Sequence, residues 1–231
     1  LQHYQHGQYG DAERLAVSLT ERFPAHPFSW KALGALLKQT GRATESLTAM
    51  QKSAQLAPKD AEAHNNLGIT QQELGRLEEA EASYRQAIAL RPDYAEARSN
   101  FGNTLRELGR FDEAEASYRQ AIVLRPDLAE AHHNLGIVLK ELGRLEEAEA
   151  SFRQAVSLNS NAEAYNNLGT TLQQLNKVDE AEASYKQALA LRPDYAEARS
   201  NLGITLKALG RLDEAEAHYR QAIALKPDYA S

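Results

Sequence analysis

Apolar residues recur along this chain at the spacing of helices that bury one face. Between residues 95 and 108 they stand three or four positions apart, which predicts a first helix. Gly109 follows and suits the left-handed backbone conformation that ends many helices. A second helix is predicted from about Asp112 to Leu124, where Pro126 prevents its continuation. The pattern therefore predicts a pair of helices.

This helix pair is repeated along the chain, which predicts a repeat protein. A glycine in the first helix returns at steps of 33 or 34 residues, as Gly34, Gly68, Gly102, Gly136, Gly169 and Gly203. A second series follows the first helix and reads Gly7, Gly41, Gly75, Gly109, Gly143, Asn176 and Gly210. Asn tolerates left-handed conformations better than most residues, so Asn176 fits a helix end.

Small residues indicate how the two helices meet. We expect Gly102, Ala114 and Ala121 to let the backbones approach closely, and Tyr118 to fill the wider gap. One pair cannot bury its apolar face alone, so neighbouring pairs are expected to stack.

The order of these residues resembles the tetratricopeptide repeat. Both have a small residue in the first helix and Ala, an aromatic residue, Ala and Pro along the second. The resemblance implies an all-α fold, a right-handed superhelical solenoid of antiparallel helix pairs that forms one domain. It predicts a partial repeat followed by six full ones. Their boundaries are 1–26 (partial), 27–60, 61–94, 95–128, 129–161, 162–195 and 196–229.

The fourth full repeat departs from this pattern within residues 159–161, where it is one residue short and lacks the Pro. We expect a local change in turn geometry there. A hinge and a tolerated loop deletion both explain the shortening, since loops absorb such changes.

Composition narrows the functions that this chain can have. Hydrophobic residues make up 42% and charged residues 25%, with a net charge of −6 and no basic cluster. Nucleic-acid binding is therefore not expected, and no apolar run is long enough for membrane insertion. The chain starts at Leu1 rather than Met, so we interpret it as part of a longer protein. Its location is open, with the cytoplasm favoured.

No catalytic, metal or cofactor site is predicted. His132 and His133 are adjacent on a helix and point about 100° apart, which disfavours shared ligation of one ion. We interpret this pair as surface side chains. The acidic clusters, such as Glu78, Glu79 and Glu81, begin second helices, where the helix dipole favours negative charge. We interpret them as a solvated face.

One polar series recurs without an obvious packing role. This asparagine ladder comprises Asn66, Asn100, Asn134, Asn167 and Asn201. At 100° per residue the ladder shares a face with the Glu that begins each first helix, opposite the Leu and Gly that pack. It therefore points away from the core.

Two interpretations of the ladder stay open. The repeats resemble those of O-linked N-acetylglucosamine transferases, and this implies that the ladder lines a concave groove and holds a peptide by its backbone. A carboxamide both donates and accepts hydrogen bonds, which suits a peptide unit. Alternatively, each Asn bonds to a neighbouring repeat or persists through duplication. The predicted binding residues are Asn66, Asn100, Asn103, Asn134, Asn167, Asn201, Lys38, Arg106 and Lys140.

The leading hypothesis is a non-enzymatic scaffold that binds an extended peptide or helix of a protein partner. An alternative is the substrate-recruiting arm of a larger enzyme, such as a glycosyltransferase. A third is end-to-end self-association through Ile223 and Leu225, because terminal repeats normally need a polar outer face.

Overall fold

The computed structural model describes residues 9–226, and within them it contains thirteen α-helices and no strand. The helices are α1 (Tyr9–Arg22), α2 (Pro27–Gln39), α3 (Ala43–Leu56), α4 (Ala61–Glu73), α5 (Leu77–Leu90), α6 (Ala95–Glu107), α7 (Phe111–Leu124), α8 (Ala129–Glu141), α9 (Leu145–Leu158), α10 (Ala162–Gln174), α11 (Val178–Leu191), α12 (Ala196–Ala208) and α13 (Leu212–Leu225).

The chain comprises two compact units, Leu1–Gln120 and Ala121–Ser231. In the first unit α1 packs against α2, α3 lies between α2 and α4, and α5 lies between α4 and α6. In the second, each helix from α8 to α13 packs against the next one along the chain. The predicted all-α class of stacked helix pairs is therefore confirmed in each unit.

The helix pairs from α4 onward close around one aromatic side chain, whereas α2 and α3 close around Met50. Tyr84, Tyr118, Phe152 and Tyr185 have no solvent exposure. The first-helix glycine lies directly against this ring. A Cβ added to Gly136, for example, would stand 2.8 Å from Cε1 of Phe152. The expectation that Gly102 brings two backbones together is thus wrong in its detail, because the glycine makes room for the ring of the second helix.

The helix ends follow the prediction. Gly109 has a φ of +72° and Asn176 a φ of +60°, so the one non-glycine residue of that series also takes the left-handed conformation. The Gly7 of the same series lies outside the described residues. So do parts of the first and last predicted repeats, residues 1–8 and 227–229, and the repeat boundaries stay predictions.

The shortened turn at residues 159–161 has its own geometry. Asn161 precedes α10 with φ −135° and ψ 154°, and its Oδ1 accepts a hydrogen bond of 2.8 Å from the backbone N–H of Ala164. At the corresponding place Tyr94 has φ −81° and ψ 84° and forms no side-chain cap. The expected local change of the turn is therefore confirmed.

In three of the acidic clusters the third acidic residue is buried, whereas Glu216 of the last repeat is exposed. Glu81, Glu149 and Glu182 are buried, which corrects the interpretation of these clusters as wholly exposed. Glu81 contacts Arg85 on its own helix at 2.6 Å and Arg110 of the next repeat at 2.7 Å. The same bridge between repeats joins Glu149 to Lys177 and Glu182 to Arg211, both at 2.7 Å. These ion pairs link a second helix to the residue that directly precedes the next second helix.

One polar contact recurs at the start of the first helices, to a proline carbonyl six residues earlier. Trp30 donates Nε1–H to Pro24 at 2.8 Å, and Arg98 donates to Pro92 at 2.9 Å. His132 makes the same bond to Pro126 at 2.9 Å. His64 and Arg199 repeat it with Pro58 and Pro193.

Candidate functional site

The predicted binding residues lie on first helices, and all five ladder Asn residues are half-buried. Two of them are tied to the preceding repeat. Asn100 on α6 donates Nδ2–H to Oδ1 of Asn65 on α4 at 3.1 Å. Asn201 on α12 donates in the same way to Asn166 on α10, also at 3.1 Å. Bonding between neighbouring repeats, one of the two interpretations of the ladder, thus occurs at these two positions.

The other ladder residues differ from these two. The carboxamides of Asn66 and Asn167 form no hydrogen bond with residues 9–226, although the backbone carbonyl of Asn167 accepts bonds from Thr170 and Thr171. Asn134 lies half-buried on α8. The ladder therefore contains side chains in different bonding states.

Three of the four remaining predicted site residues have partners beside the ladder. Asn103 accepts a hydrogen bond of 2.6 Å from Oη of Tyr118. Lys38 forms an ion pair with Glu73 of the next repeat at 2.9 Å, and Lys140 donates to Oγ1 of Thr170 at 3.5 Å. Nε of Arg106 is buried without a hydrogen-bond partner in the described part of the chain.

Buried tyrosines of the second helices donate hydrogen bonds to glutamines on the first helices. Oη of Tyr84 donates to Gln72, and Oη of Tyr185 donates to Gln173, each at 3.1 Å. Burial raises the pKa of Tyr84 and of Tyr185 far above its ordinary value, so both remain neutral donors. Gln72 donates onward to Glu107 of the next repeat at 2.7 Å.

Asn66 lies at the meeting point of two hollows in the first unit. One, of about 620 Å³, has a mixed polar and apolar lining that includes Lys38, Ile69 and Glu73. The other, of about 360 Å³, lies between α1, α2 and α4 and is mainly apolar. Phe28 and Leu15 line this second hollow and are more than half exposed. The ladder thus borders both polar and apolar surface at Asn66.

The two histidines separate in the structure. His132 makes the proline-carbonyl bond described above. His133 has a side chain only 13% exposed and packs edge-on against Phe152, with ring centroids 5.7 Å apart. Its interpretation as a surface side chain is wrong, because its ring packs against the fully buried Phe152 of α9. Among residues 9–226 no cluster of His, Cys, Asp or Glu could hold a metal ion.

Three residues beside the ladder, Asn65, Asn166 and Glu197, were not predicted as part of the site. Asn65 and Asn166 are 5% and 1% exposed, and Asn166 donates Nδ2–H to Glu197 at 3.1 Å. The doubled "NN" of the second and fifth repeats was the signal available. This arrangement presents a series of carboxamides that can exchange hydrogen bonds with a bound chain.

Comparison with known families agrees with the repeat structure. A tetratricopeptide repeat model matches residues 28–93, 127–194 and 160–228. A second model of that description matches residues 71–122, and a TPR repeat model matches residues 102–143. A search of curated proteins gave no match. In the part of the chain that the structure describes, none of the helices has the length and apolar character to span a bilayer.

Solved structures share the fold. A structure of pilF from Pseudomonas aeruginosa is 23% identical, with a TM-score of 0.78 over 90% of this chain and 94% of that one. The Cut9–Hcn1 hetero-tetramer of the APC/C matches at 20% identity and a TM-score of 0.78, over 97% of this chain and 45% of that one. YrrB, a TPR protein with an unusual peptide-binding site, is 26% identical, with a TM-score of 0.66 over 78% and 93% of the two chains.

Proposed function

Because this chain belongs to the tetratricopeptide repeat family, we propose that it is a non-catalytic scaffold whose ladder residues bind an extended peptide of a protein partner. Asn66 and Asn100 would serve in the first unit, and Asn134, Asn167 and Asn201 in the second. The observation that carries the proposal is the state of Asn66 and Asn167. Their half-buried carboxamides bond to none of the residues between 9 and 226.

Such carboxamides suit a peptide backbone, which repeats one donor and one acceptor whatever its side chains. Charge adds little selectivity beside them, because Lys38 is already paired with Glu73 and Lys31 with Glu62, at 2.9 and 3.1 Å. The peptide-binding site of YrrB supports the same use of a related fold. We therefore expect recognition of the main chain with modest dependence on ligand charge.

The test begins with a peptide selected from a random display library on the unaltered chain. Its affinity is then measured by fluorescence anisotropy for Asn66→Ala, Asn167→Ala and the double variant. We expect about fivefold weakening for each ladder residue that contacts the peptide, since a net hydrogen bond contributes about 1 kcal/mol. Asn159→Ala, an exposed Asn of a turn, is the control. Equal affinities for all variants would exclude the ladder as the binding surface.

Self-association is a second candidate function. Ile223 and Leu225 on α13 are 42% and 45% exposed, and Leu212 of the same helix is 62% exposed. We propose that this apolar surface contacts a second copy of the chain. Light scattering across a concentration series should show a rising mass, and Ile223→Ser with Leu225→Ser should abolish the rise. A mass that stays at 25.6 kDa at high concentration would contradict this.

A further inference from the structure

Asn201 is held in one orientation by two residues. Its Nδ2 donates to Oδ1 of Asn166, and Nδ2 of Asn166 donates to Oε1 of Glu197, each at 3.1 Å. Glu197 and Asn201 lie four residues apart on α12, so they face the same side of that helix. Asn166 is 1% exposed, which leaves its carboxamide little freedom to turn.

The order of donors and acceptors in this chain follows from the carboxylate. Glu197 can only accept a hydrogen bond, so Asn166 must present its NH₂ group to Glu197 and its carbonyl to Asn201. Asn201 must then turn its own NH₂ group toward Asn166. Reversing Asn166 would set its carbonyl against the carboxylate and leave a buried polar group unsatisfied, which is costly.

Oδ1 of Asn201 is therefore the atom that remains for a ligand. It accepts no hydrogen bond from the described residues, and it is not fully buried. In the first unit Asn100 donates in the same way to Asn65, whose exposure is 5%. Oδ1 of Asn100 likewise accepts no hydrogen bond from the described residues and is not fully buried. At the places equivalent to Asn65, the repeats preceding Asn66 and Asn167 have Lys31 and His133, and neither ladder residue is held in this way.

We propose that Asn166 and Glu197 are positioning residues that make Asn201 a hydrogen-bond acceptor for a backbone N–H of the bound peptide. This inference rests on the proposed peptide-binding function. It separates an acceptor position, Asn201, from positions that are free to donate or accept, Asn66 and Asn167. Because an acceptor position binds a backbone N–H, it fixes where along the ladder a main-chain donor of the peptide lies.

The first experiment needs no peptide. Side-chain amide protons of Asn201 should exchange with solvent at least fivefold more slowly than those of Asn167 in NMR spectra of the whole chain. Asn166→Ser should remove that difference. Ser stands at the equivalent place in the third and sixth repeats, as Ser99 and Ser200, so the variant is expected to fold. Equal exchange of Asn201 and Asn167 in the unaltered chain would overturn the held orientation.

The second experiment uses the display-selected peptide, synthesised with each backbone amide replaced in turn by an ester, which removes one N–H donor. One ester should bind the unaltered chain about fivefold more weakly. That loss should vanish in Asn201→Ala and shrink in Asn166→Ser and Glu197→Gln. Glu163→Gln is the control, because the residue of the preceding repeat that lies nearest its carboxylate is His133, at 4.0 Å, and Glu163 accepts no hydrogen bond from a buried Asn.

The outcomes separate the two proposals. If Asn201→Ala weakens the peptide but no ester position is coupled to Asn201, peptide binding stands and the acceptor role is wrong. If Asn201→Ala binds as the unaltered chain does while Asn66→Ala and Asn167→Ala bind more weakly, the acceptor role is again wrong. If none of the ladder variants changes affinity, the proposed function fails as well.

Discussion

Gly102 lies against the ring of Tyr118, so closely that a Cβ on Gly102 would stand 2.7 Å from Cε1 of the ring. The ring has no solvent exposure, and its Oη is fixed by the bond to Asn103. It cannot move aside without breaking both the packing of the pair and that hydrogen bond.

We predict that Gly102→Ala destabilises the protein, although Gly→Ala within a helix normally stabilises it by about 1 kcal/mol. Overpacking of a filled core should lower the free energy of unfolding by about 1–3 kcal/mol, measured by urea denaturation. Gly10→Ala is the matched control, because Gly10 is helical and nothing lies within 4 Å of its added Cβ. A Gly102→Ala variant at least as stable as the unaltered chain would show that the ring is not confined.

Asn161 should stabilise the shortened turn through its cap on α10. Replacing Asn161 by Ala removes the acceptor for the N–H of Ala164 and should cost about 1 kcal/mol of unfolding free energy. Asn161→Asp should retain most of it, since Asp is an equally good N-cap. Asn159→Ala, two residues earlier, should have little effect, and thermal unfolding by circular dichroism compares the three. Similar losses for Asn159→Ala and Asn161→Ala would mean that the cap is not the cause.

Glu182 should make stability depend on pH in the acid range. Its hydrogen bond from Lys186, together with that from Arg211, lowers the pKa of the carboxyl against the opposing effect of burial. A carboxyl whose native pKa is lowered stabilises the fold above its unfolded pKa, about 4.3 for Glu. That stabilisation is lost as pH falls through the native pKa.

Glu182→Gln should therefore flatten the curve of unfolding free energy against pH between about pH 5 and pH 3. Asp179→Asn, on the same helix, is the control, because Asp179 is exposed and forms no ion pair with the described residues. Urea titrations at several pH values measure both curves. Parallel curves for Glu182→Gln and the unaltered chain would disprove the contribution of this ion pair.

The repeat period and helix pairing could be predicted from the sequence because they depend on local signals. Gly109 and Asn176 mark helix ends through backbone conformation alone, and both have the expected positive φ. Burial of Glu81 was not predictable in this way. Its neighbour Arg110 belongs to the next repeat, and helical periodicity within one repeat does not show what the next repeat brings against it.

The same limit applies to the candidate site. The sequence identified the ladder as one series of equal members, since Asn66 and Asn201 occupy equivalent places. Their bonding differs because the residue across from each is Lys31 in one case and Asn166 in the other. Residues at equivalent positions can therefore differ in role, because each contacts a different residue of the preceding repeat, which for Asn201 lies 35 positions away.

The contact with the proline carbonyl bears on how such a chain can evolve. Trp30, Arg98 and His132 are chemically unlike, yet each directs an N–H at the carbonyl six residues before it. Selection at this position can therefore favour any side chain long enough to place an N–H on the carbonyl, rather than one particular residue type. Duplicated repeats could therefore differ in charge and aromatic character at this place and still keep the hydrogen bond to the turn.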